Sequence, residues 1–163
     1  MGGVFPGASS LDDFWRLIEE GGDACGPVPA GRWLLDPATI RSAVPGAPDT
    51  VLTDRGCFIE DASLGGELDP AFQLLLRAGQ AAFAAARVAN VDRGAVGVVL
   101  GNIALPTSAA SALADEILAP LYQQRIFGDA RRKPALTTNP LNRYVTGLPA
   151  GLLARSLGLG GAC

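Results

Sequence analysis

The stretch Ala-Val-Gly-Val-Val-Leu-Gly at residues 95–101 decides the fold class of this chain. Residues 96–100 form a short apolar run that lies between glycine turn signals. Such a run predicts a buried strand that is parallel to its neighbours and covered on both faces. Because helical patterns surround this one strand, the sequence indicates an α/β layered fold in which further strands complete the sheet.

Four helical patterns lie on either side of the predicted strand. Ser10 is a candidate N-cap of the first helix, and Asp13 resembles its capping-box partner. The second helix begins at Asp69, an N-cap followed by Pro70 at the first helical position. The predicted helices cover residues 11–20, 70–90, 108–126 and 143–157.

Apolar side chains at helical spacing predict which helix faces belong to a core. Residues 23–56 are rich in Pro, Gly and Asp and are predicted to form a long surface connection, followed by a short extended piece at residues 57–59. The predicted core-facing side chains are Leu11, Phe14, Trp15 and Ile18 in the first helix, and Leu113, Ile117, Leu121 and Tyr122 in the third.

Length and composition limit the classes of protein to which this chain can belong. The 163 residues are expected to form one domain. A hydrophobic content of 48% and a mean hydropathy of +0.26 indicate that part of the surface is buried against another polypeptide. A net charge of −3 argues against a nucleic-acid partner. No apolar run of about 18 residues and no signal-peptide pattern occurs, so we expect no membrane span and a cytoplasmic location.

The sequence contains no His. This absence excludes, within these residues, Ser-His-Asp and Cys-His catalysis and His-ligated metals. The cysteines are Cys25, Cys57 and Cys163, an odd and widely spaced set without a Cys-x-x-Cys pair. That set favours a reducing compartment and argues against a zinc site or a disulfide framework. Cys25 and Cys57 are therefore predicted to be small packed residues.

Eight short stretches form an ordered set of motifs. They include Phe-Pro-Gly within residues 1–8, Pro-Ala-Gly-Arg-Trp at 29–33, Arg-Gly-Cys-Phe-Ile at 55–59 and Leu-Asp-Pro at 68–70. The others lie at residues 11–21, 96–101, 144–147 and 157–161. In this order and spacing, the set resembles the N-terminal part of the β-ketoacyl synthase domain, closest to polyketide or polyunsaturated-fatty-acid synthases.

The resemblance implies a partial thiolase-like (αβαβα) layered fold, of which residues 1–163 would be the N-terminal half only, as a truncated β-ketoacyl synthase domain. The family's first strand is expected before Met1, and its two catalytic His beyond residue 163. The segment at 60–67 is shorter than the family's. The implied activity is 3-oxoacyl-[acyl-carrier-protein] synthase, an acyltransferase that condenses acyl thioesters with malonyl units. This chain alone is expected to be inactive.

The resemblance also makes Cys163 the candidate catalytic nucleophile. The dipeptide Ala162-Cys163 matches the small residue and Cys of the family. The spacing after the glycines at 158–161 instead matches a position before the nucleophile strand, where a Cys has no catalytic duty. Both interpretations stay open. No metal or cofactor is implied for this chain, since phosphopantetheine is carried by the acyl carrier partner.

The implied partners are an acyl carrier protein and, in the full-length family, a second copy in a homodimer. Residues 131–133, Arg-Arg-Lys, are interpreted as a solvated loop or as a patch for an acidic carrier. Trp33 and Arg32 are interpreted as fold packing or as a stacking surface for a partner. Two functions are weighed: an enzyme fragment, and a non-catalytic interaction subunit that pairs with a complete ketosynthase. The high apolar fraction fits an obligate interface.

Overall fold

The computed structural model describes residues 1–33, 35–59, 67–86, 90–102, 107–128, 138–144 and 146–163. The chain divides into two compact units: residues 3–60, here the N-terminal unit, and residues 1–2 with 61–163, here the C-terminal unit. The N-terminal unit contains α1 (Leu11–Glu19), β1 (Cys25–Pro27), α2 (Pro37–Ile40) and β2 (Arg55–Cys57). The C-terminal unit contains α3 (Pro70–Ala85), α4 (Ser108–Phe127) and α5 (Leu148–Leu157).

Helix α1 begins as predicted. The Ser10 hydroxyl accepts a hydrogen bond from the Asp13 amide at 3.1 Å. The Asp13 carboxylate does not reach back to the cap backbone. It accepts hydrogen bonds of 2.8 Å from the hydroxyls of Ser10 and Ser9 and forms an ion pair with Arg16. These contacts, the Ser10 bond foremost, lower the pKa of Asp13.

The core-facing prediction for α1 is wrong for two of its four side chains. Phe14 is half-buried and stacks on Phe5 with ring centroids 4.1 Å apart. Trp15 is 59% exposed and Ile18 is 52% exposed, and the Trp15 indole donates to Glu19 at 2.8 Å. Because each residue turns the helix by about 100°, a face centred on Phe14 leaves its neighbour Trp15 at the edge of the contact.

The predicted surface connection at 23–56 contains a two-stranded ribbon. Strand β1 pairs antiparallel with β2 in the register Cys25↔Cys57, Gly26↔Gly56 and Pro27↔Arg55. The strands are three residues long and include Gly and Pro, so they carry no alternating pattern that the sequence could show. The extended piece predicted at 57–59 lies in part within β2.

Helix α3 begins at the predicted cap, where the Asp69 carboxylate accepts a hydrogen bond from the Ala71 amide at 2.9 Å. It ends at Ala85 and not near residue 90, because the backbone of Ala86 is extended. Residues 87–89 lie outside the described part. Phe72 of α3 is fully buried. Leu153 of α5 packs against Gly79 so closely that a Cβ there would displace the Leu153 side chain.

Helix α4 matches the prediction, with Thr107 as N-cap and Gly128 in the left-handed conformation (φ 78°) at its end. Its predicted core-facing stripe is buried only at Leu113. The exposed fractions of Ile117, Leu121 and Tyr122 are 38%, 60% and 63%, so that part of the prediction is wrong. The amphipathic pattern placed these residues on one side, but within the described residues little covers that side.

The run at 96–100 is extended, yet residues 96–101 form no regular strand in the structure. One face is half-buried, whereas Val99 on the other is 97% exposed, so the prediction of cover on both faces is wrong. A strand exists only through hydrogen bonds to neighbours, and in the described residues those come only from 160–162. The last predicted helix also begins late, at Leu148, after a 3₁₀ turn at Pro140–Tyr144.

No helix in the described ranges combines the length and the hydropathy that a membrane crossing needs.

Candidate functional site

The candidate nucleophile lies at the end of a glycine-rich turn that follows α5. Gly158 adopts the left-handed conformation (φ 65°). The Gly158 amide donates to the Arg155 carbonyl at 3.2 Å, and the Leu159 amide donates to the Ala154 carbonyl at 2.9 Å. These bonds satisfy the last carbonyls of the helix and turn the chain away from its axis.

Beyond this turn, the terminal segment runs parallel to residues 93–98, which begin as a 3₁₀ turn at Arg93–Ala95 and become extended at Val96. The Gly160 amide donates to the Arg93 carbonyl at 2.9 Å, and the Gly161 amide to the Val96 carbonyl at 3.0 Å. In the opposite direction, the Val98 amide donates a hydrogen bond to the Ala162 carbonyl at 2.9 Å. The apolar run predicted as a parallel strand therefore has a parallel neighbour, although the pairing is too irregular to form a ladder.

Two glycines permit this close approach. A Cβ on Gly97 would lie 2.5 Å from the Ala162 carbonyl oxygen, and one on Gly161 would lie 2.5 Å from the Val96 carbonyl carbon. Neither contact could be relieved by moving a flexible side chain, since backbone atoms are involved. The glycines at these positions are required for the two segments to touch.

The Arg93 side chain connects the end of α5 with α3. Its guanidinium donates to the Leu157 carbonyl at 3.0 Å and lies 5.2 Å from the centre of the Phe83 ring. The first contact satisfies a carbonyl at the end of α5, and the second is a cation–π interaction. Arg93 was not predicted as a functional residue, because an isolated Arg between helices carries no local signal.

Cys163 follows directly and has a free, exposed thiol. A thiol attacks a thioester as its thiolate, which a neighbouring base or a helix N-terminus normally provides. The sequence supplies no His for this purpose. The arrangement presents an exposed thiol at the end of a hydrogen-bonded segment.

The other predicted site residues lie elsewhere. Cys25 and Cys57 are joined by a disulfide and Cys57 is exposed, so the prediction that both are small packed residues is wrong. Opposite positions on paired antiparallel strands bring two Cβ atoms together irrespective of the distance in sequence. Trp33 is half-buried and Arg32 is exposed. The Arg-Arg-Lys cluster at 131–133 lies outside the described residues.

A buried polar cluster joins the start of α3 to the start of α4, and only one of its members was expected. The Asp69 carboxylate accepts a hydrogen bond from the Thr107 hydroxyl, and its backbone amide donates to the Asn142 side chain at 2.7 Å. Asn142 in turn donates to the Glu67 carbonyl at 3.0 Å. Asp69 and Asn142 are 2% and 5% exposed. The cluster positions three chain segments and presents no free group to a ligand.

The sequence matches the family model described as beta-ketoacyl synthase, N-terminal domain, over residues 1–162. The chain therefore belongs to the β-ketoacyl synthase family, the class of condensing enzymes to which its motifs pointed. Its fold is the N-terminal part of the thiolase-like α/β fold of that family.

Curated relatives of the chain are polyketide synthases. It is 38% identical over 68 residues, 39% of the chain, to non-reducing polyketide synthase pgmA of Aspergillus terreus. It is 40% identical over 72 residues, 44% of the chain, to norsolorinic acid synthase stcA of Emericella nidulans. The matched part is about 3% of the length of each of these relatives.

Among solved structures, the chain is similar to the PfaC keto synthase–chain length factor. The TM-score is 0.71 at 26% sequence identity, over 99% of this chain and 19% of that one. The chain therefore spans about a fifth of the length of that solved chain.

Proposed function

We propose that this chain contributes the N-terminal part of a ketosynthase that condenses carrier-bound acyl thioesters with malonyl units in polyketide or fatty acid biosynthesis. The match to the ketosynthase N-terminal domain over residues 1–162 carries the proposal. The sequence contains no His, so the imidazole groups that assist decarboxylation and stabilise the oxyanion come from residues outside these 163. On its own, the chain is inactive in condensation.

In this reaction a Cys thiolate takes the acyl group, and the carbanion formed by decarboxylation then attacks the acyl carbon. Cys163 is the candidate acyl acceptor of this chain. We propose that an acyl carrier protein delivers both substrates on its phosphopantetheine, that the complete ketosynthase is a homodimer, and that the reaction is cytoplasmic. The family match supports these assignments.

The test is a chimera in which this chain replaces the corresponding part of a complete ketosynthase of the PfaC type. We expect the chimera to condense acyl- and malonyl-carrier thioesters, and the isolated chain to form no product. A chimera that unfolds cooperatively but neither accepts acyl groups nor decarboxylates malonyl-carrier would contradict the proposal.

Intact mass spectrometry after incubation with an acyl-pantetheine thioester tests Cys163 separately. We expect slow acylation of the isolated chain and none of the Cys163→Ala variant. Acylation that persists in the variant would rule out Cys163 as the acceptor.

A second function, an interaction subunit that pairs with a complete ketosynthase, is favoured by the exposed apolar surface of the C-terminal unit. The α4 band consists of Ile117, Leu118, Leu121, Tyr122 and Ile126, each between 38% and 69% exposed. Continuous apolar surface of this kind is typical of a protein interface.

Sedimentation of the chain with a complete ketosynthase distinguishes the two functions. The interaction subunit predicts a stable complex that Leu121→Glu weakens, while Ser111→Glu at an exposed position of the same helix does not. If the two proteins sediment independently, the interaction-subunit function is contradicted and the enzyme-fragment function remains.

A further inference from the structure

The pairing of Cys25 with Cys57 is not used by the proposed condensation. The two residues are opposite each other at the end of the β1–β2 ribbon, with Cα atoms 4.3 Å apart, and are linked as a disulfide. Cys57 is exposed and Cys25 is half-buried. Cys57 is therefore the more exposed residue of the pair.

The link closes the chain over a separation of 32 residues. No described residue between 28 and 54 is buried. Apart from local turns, three backbone bonds between described residues hold this segment. The Val28 amide donates to the Asp54 carbonyl at 2.7 Å, and the Val51 amide donates to the Ile40 carbonyl and the Ser42 amide to the Val51 carbonyl, both at 2.9 Å. Because packing contributes little here, the covalent link is a main restraint on the segment.

Arg55 provides a second, non-covalent clamp at the same place. Its guanidinium donates to the Cys25 carbonyl at 2.6 Å and forms an ion pair with Asp23 at 3.4 Å. Asp23 also accepts a hydrogen bond from the Cys25 amide at 2.8 Å. These contacts do not involve the two sulfur atoms, so they favour re-formation of the disulfide after it is reduced.

We propose that Cys25 and Cys57 form a reversible thiol–disulfide exchange site that uses a glutathione-type disulfide and controls the opening of residues 28–54. The exposed Cys57 reacts with the external reagent, and the half-buried Cys25 resolves the intermediate. The site lies in the N-terminal unit and is independent of the condensation chemistry assigned above.

The oxidation step is balanced by two exchanges. The Cys57 thiolate attacks one sulfur of oxidised glutathione, which forms a mixed disulfide and releases one glutathione thiolate. The Cys25 thiolate then attacks the Cys57 sulfur, which forms the protein disulfide and releases the second glutathione. Two protein thiols lose two electrons and two protons, and one glutathione disulfide gains them. Reduction follows the same steps in reverse.

The first experiment follows the redox state of the full chain carrying Cys163→Ser, so that only the pair remains. The protein is equilibrated in mixtures of reduced and oxidised glutathione, and its free thiols are alkylated. Mass spectrometry then measures how many cysteines carry the alkyl group. We expect one cooperative transition between a form of the protein with two alkylated cysteines and a form with no alkylated cysteine. In Cys25→Ser, with Cys163→Ser retained, Cys57 should instead accumulate a glutathione adduct faster than Cys25 does in the matched Cys57→Ser variant.

The second experiment measures opening by trypsin cleavage at Arg32 and Arg41, both exposed within the segment. We expect cleavage in a Cys25→Ser/Cys57→Ser chain to be at least about tenfold faster than in the oxidised chain. Cleavage at Arg125 in α4 should be unchanged and serves as the internal control.

Three outcomes would overturn the proposal. One is a pair that stays fully alkylatable in excess oxidised glutathione, and another is a glutathione adduct that forms faster on Cys25 than on Cys57. The third is equal cleavage of the segment with and without the disulfide. Arg55→Gln provides a further check, since loss of the clamp should slow closure of the disulfide from the mixed intermediate without changing the rate at which Cys57 is first modified.

Discussion

The contacts that stabilise the N-terminal unit internally differ from those that stabilise the C-terminal unit. In the C-terminal unit, α3 packs against α5, Phe72 and Leu153 are 0% and 5% exposed, and a buried polar cluster lies at the start of α3. In the N-terminal unit, Ala8 is the one described residue that is buried, at 6% exposure. Hydrogen-bonded turns, a three-residue ribbon and a disulfide hold that unit instead. The difference shows that local bonds can order a segment that lacks its own core.

The largest effect is expected at the centre of the C-terminal unit. Phe72→Ala should cost about 3–5 kcal/mol of unfolding free energy, because it leaves a cavity between packed helices. Urea unfolding followed by circular dichroism measures it. Tyr122→Ala on the exposed face of α4 is the control and should change stability by less than about 0.5 kcal/mol. A similar loss in both variants would show that the helices do not pack as described.

The next effect tests the N-terminal unit. Cys57→Ser should lower the free energy of opening of residues 28–54 by about 3–4 kcal/mol, as loop closure predicts for a link of this span. Hydrogen exchange at the Val28 and Val51 amides measures it. Cys163→Ser, a change at a free thiol, should leave both amides unaffected. Unchanged exchange in Cys57→Ser would mean that the segment is held by its backbone bonds alone.

The buried polar cluster should contribute less than the apolar core. Asp69→Ala removes the N-cap of α3 and leaves the Thr107 hydroxyl without its acceptor, at an expected cost of about 2–3 kcal/mol. Asp69→Asn keeps a side-chain oxygen and should cost about 1 kcal/mol. Thermal unfolding of both variants provides the comparison. Equal losses would indicate that the carboxylate charge, and not its hydrogen bonds, matters.

A smaller effect is expected where the terminal segment meets residues 93–98. Gly161→Ala should cost about 1–2 kcal/mol, because the new Cβ meets the backbone of Val96. Faster hydrogen exchange at the Val98 amide reports the separation. The control is Gly151→Ala in α5, where nothing lies within 4 Å of the added Cβ and the helix should be stabilised. Loss of Val98 protection in the control would contradict this account.

The smallest effect concerns α1 and pH. Hydrogen bonds from Ser10 and Ser9 hold the pKa of Asp13 below its ordinary value. The stabilisation is therefore complete above the pKa of the unfolded chain and is lost as the pH falls through the lower folded value. NMR titration of the Asp13 carboxyl measures the folded pKa. Ser10→Ala should raise it towards the ordinary value, and an unchanged pKa would exclude the hydroxyl as the main cause.

Sequence patterns predicted those features whose cause is local. The N-caps at Ser10 and Asp69 and the whole of α4 follow from residues within a few positions of each other. Whether the run at 96–100 forms a strand could not be predicted in this way, because its pairing depends on residues more than 60 positions away. The same reason applies to Cys25 and Cys57: three-residue strands carry no pattern, and their register is a tertiary contact.

The features of the candidate site also separate into those that local sequence predicts and those that depend on tertiary contacts. Cys163 and the glycines before it were visible from the motif order, but the need for Gly97 and Gly161 appears only where two backbones touch. Arg93 was missed because its partners, Phe83 and Leu157, come from different parts of the chain.

The sequence by itself determined the family, the helix caps and the absence of imidazole, because these depend on residue identity and on neighbours within one or two helical turns. Only the tertiary structure decided which apolar faces are covered, which cysteines are joined and where the terminal segment lies. Those outcomes depend on contacts between distant segments, whose free energy is gained only once the chain has closed the loops between them.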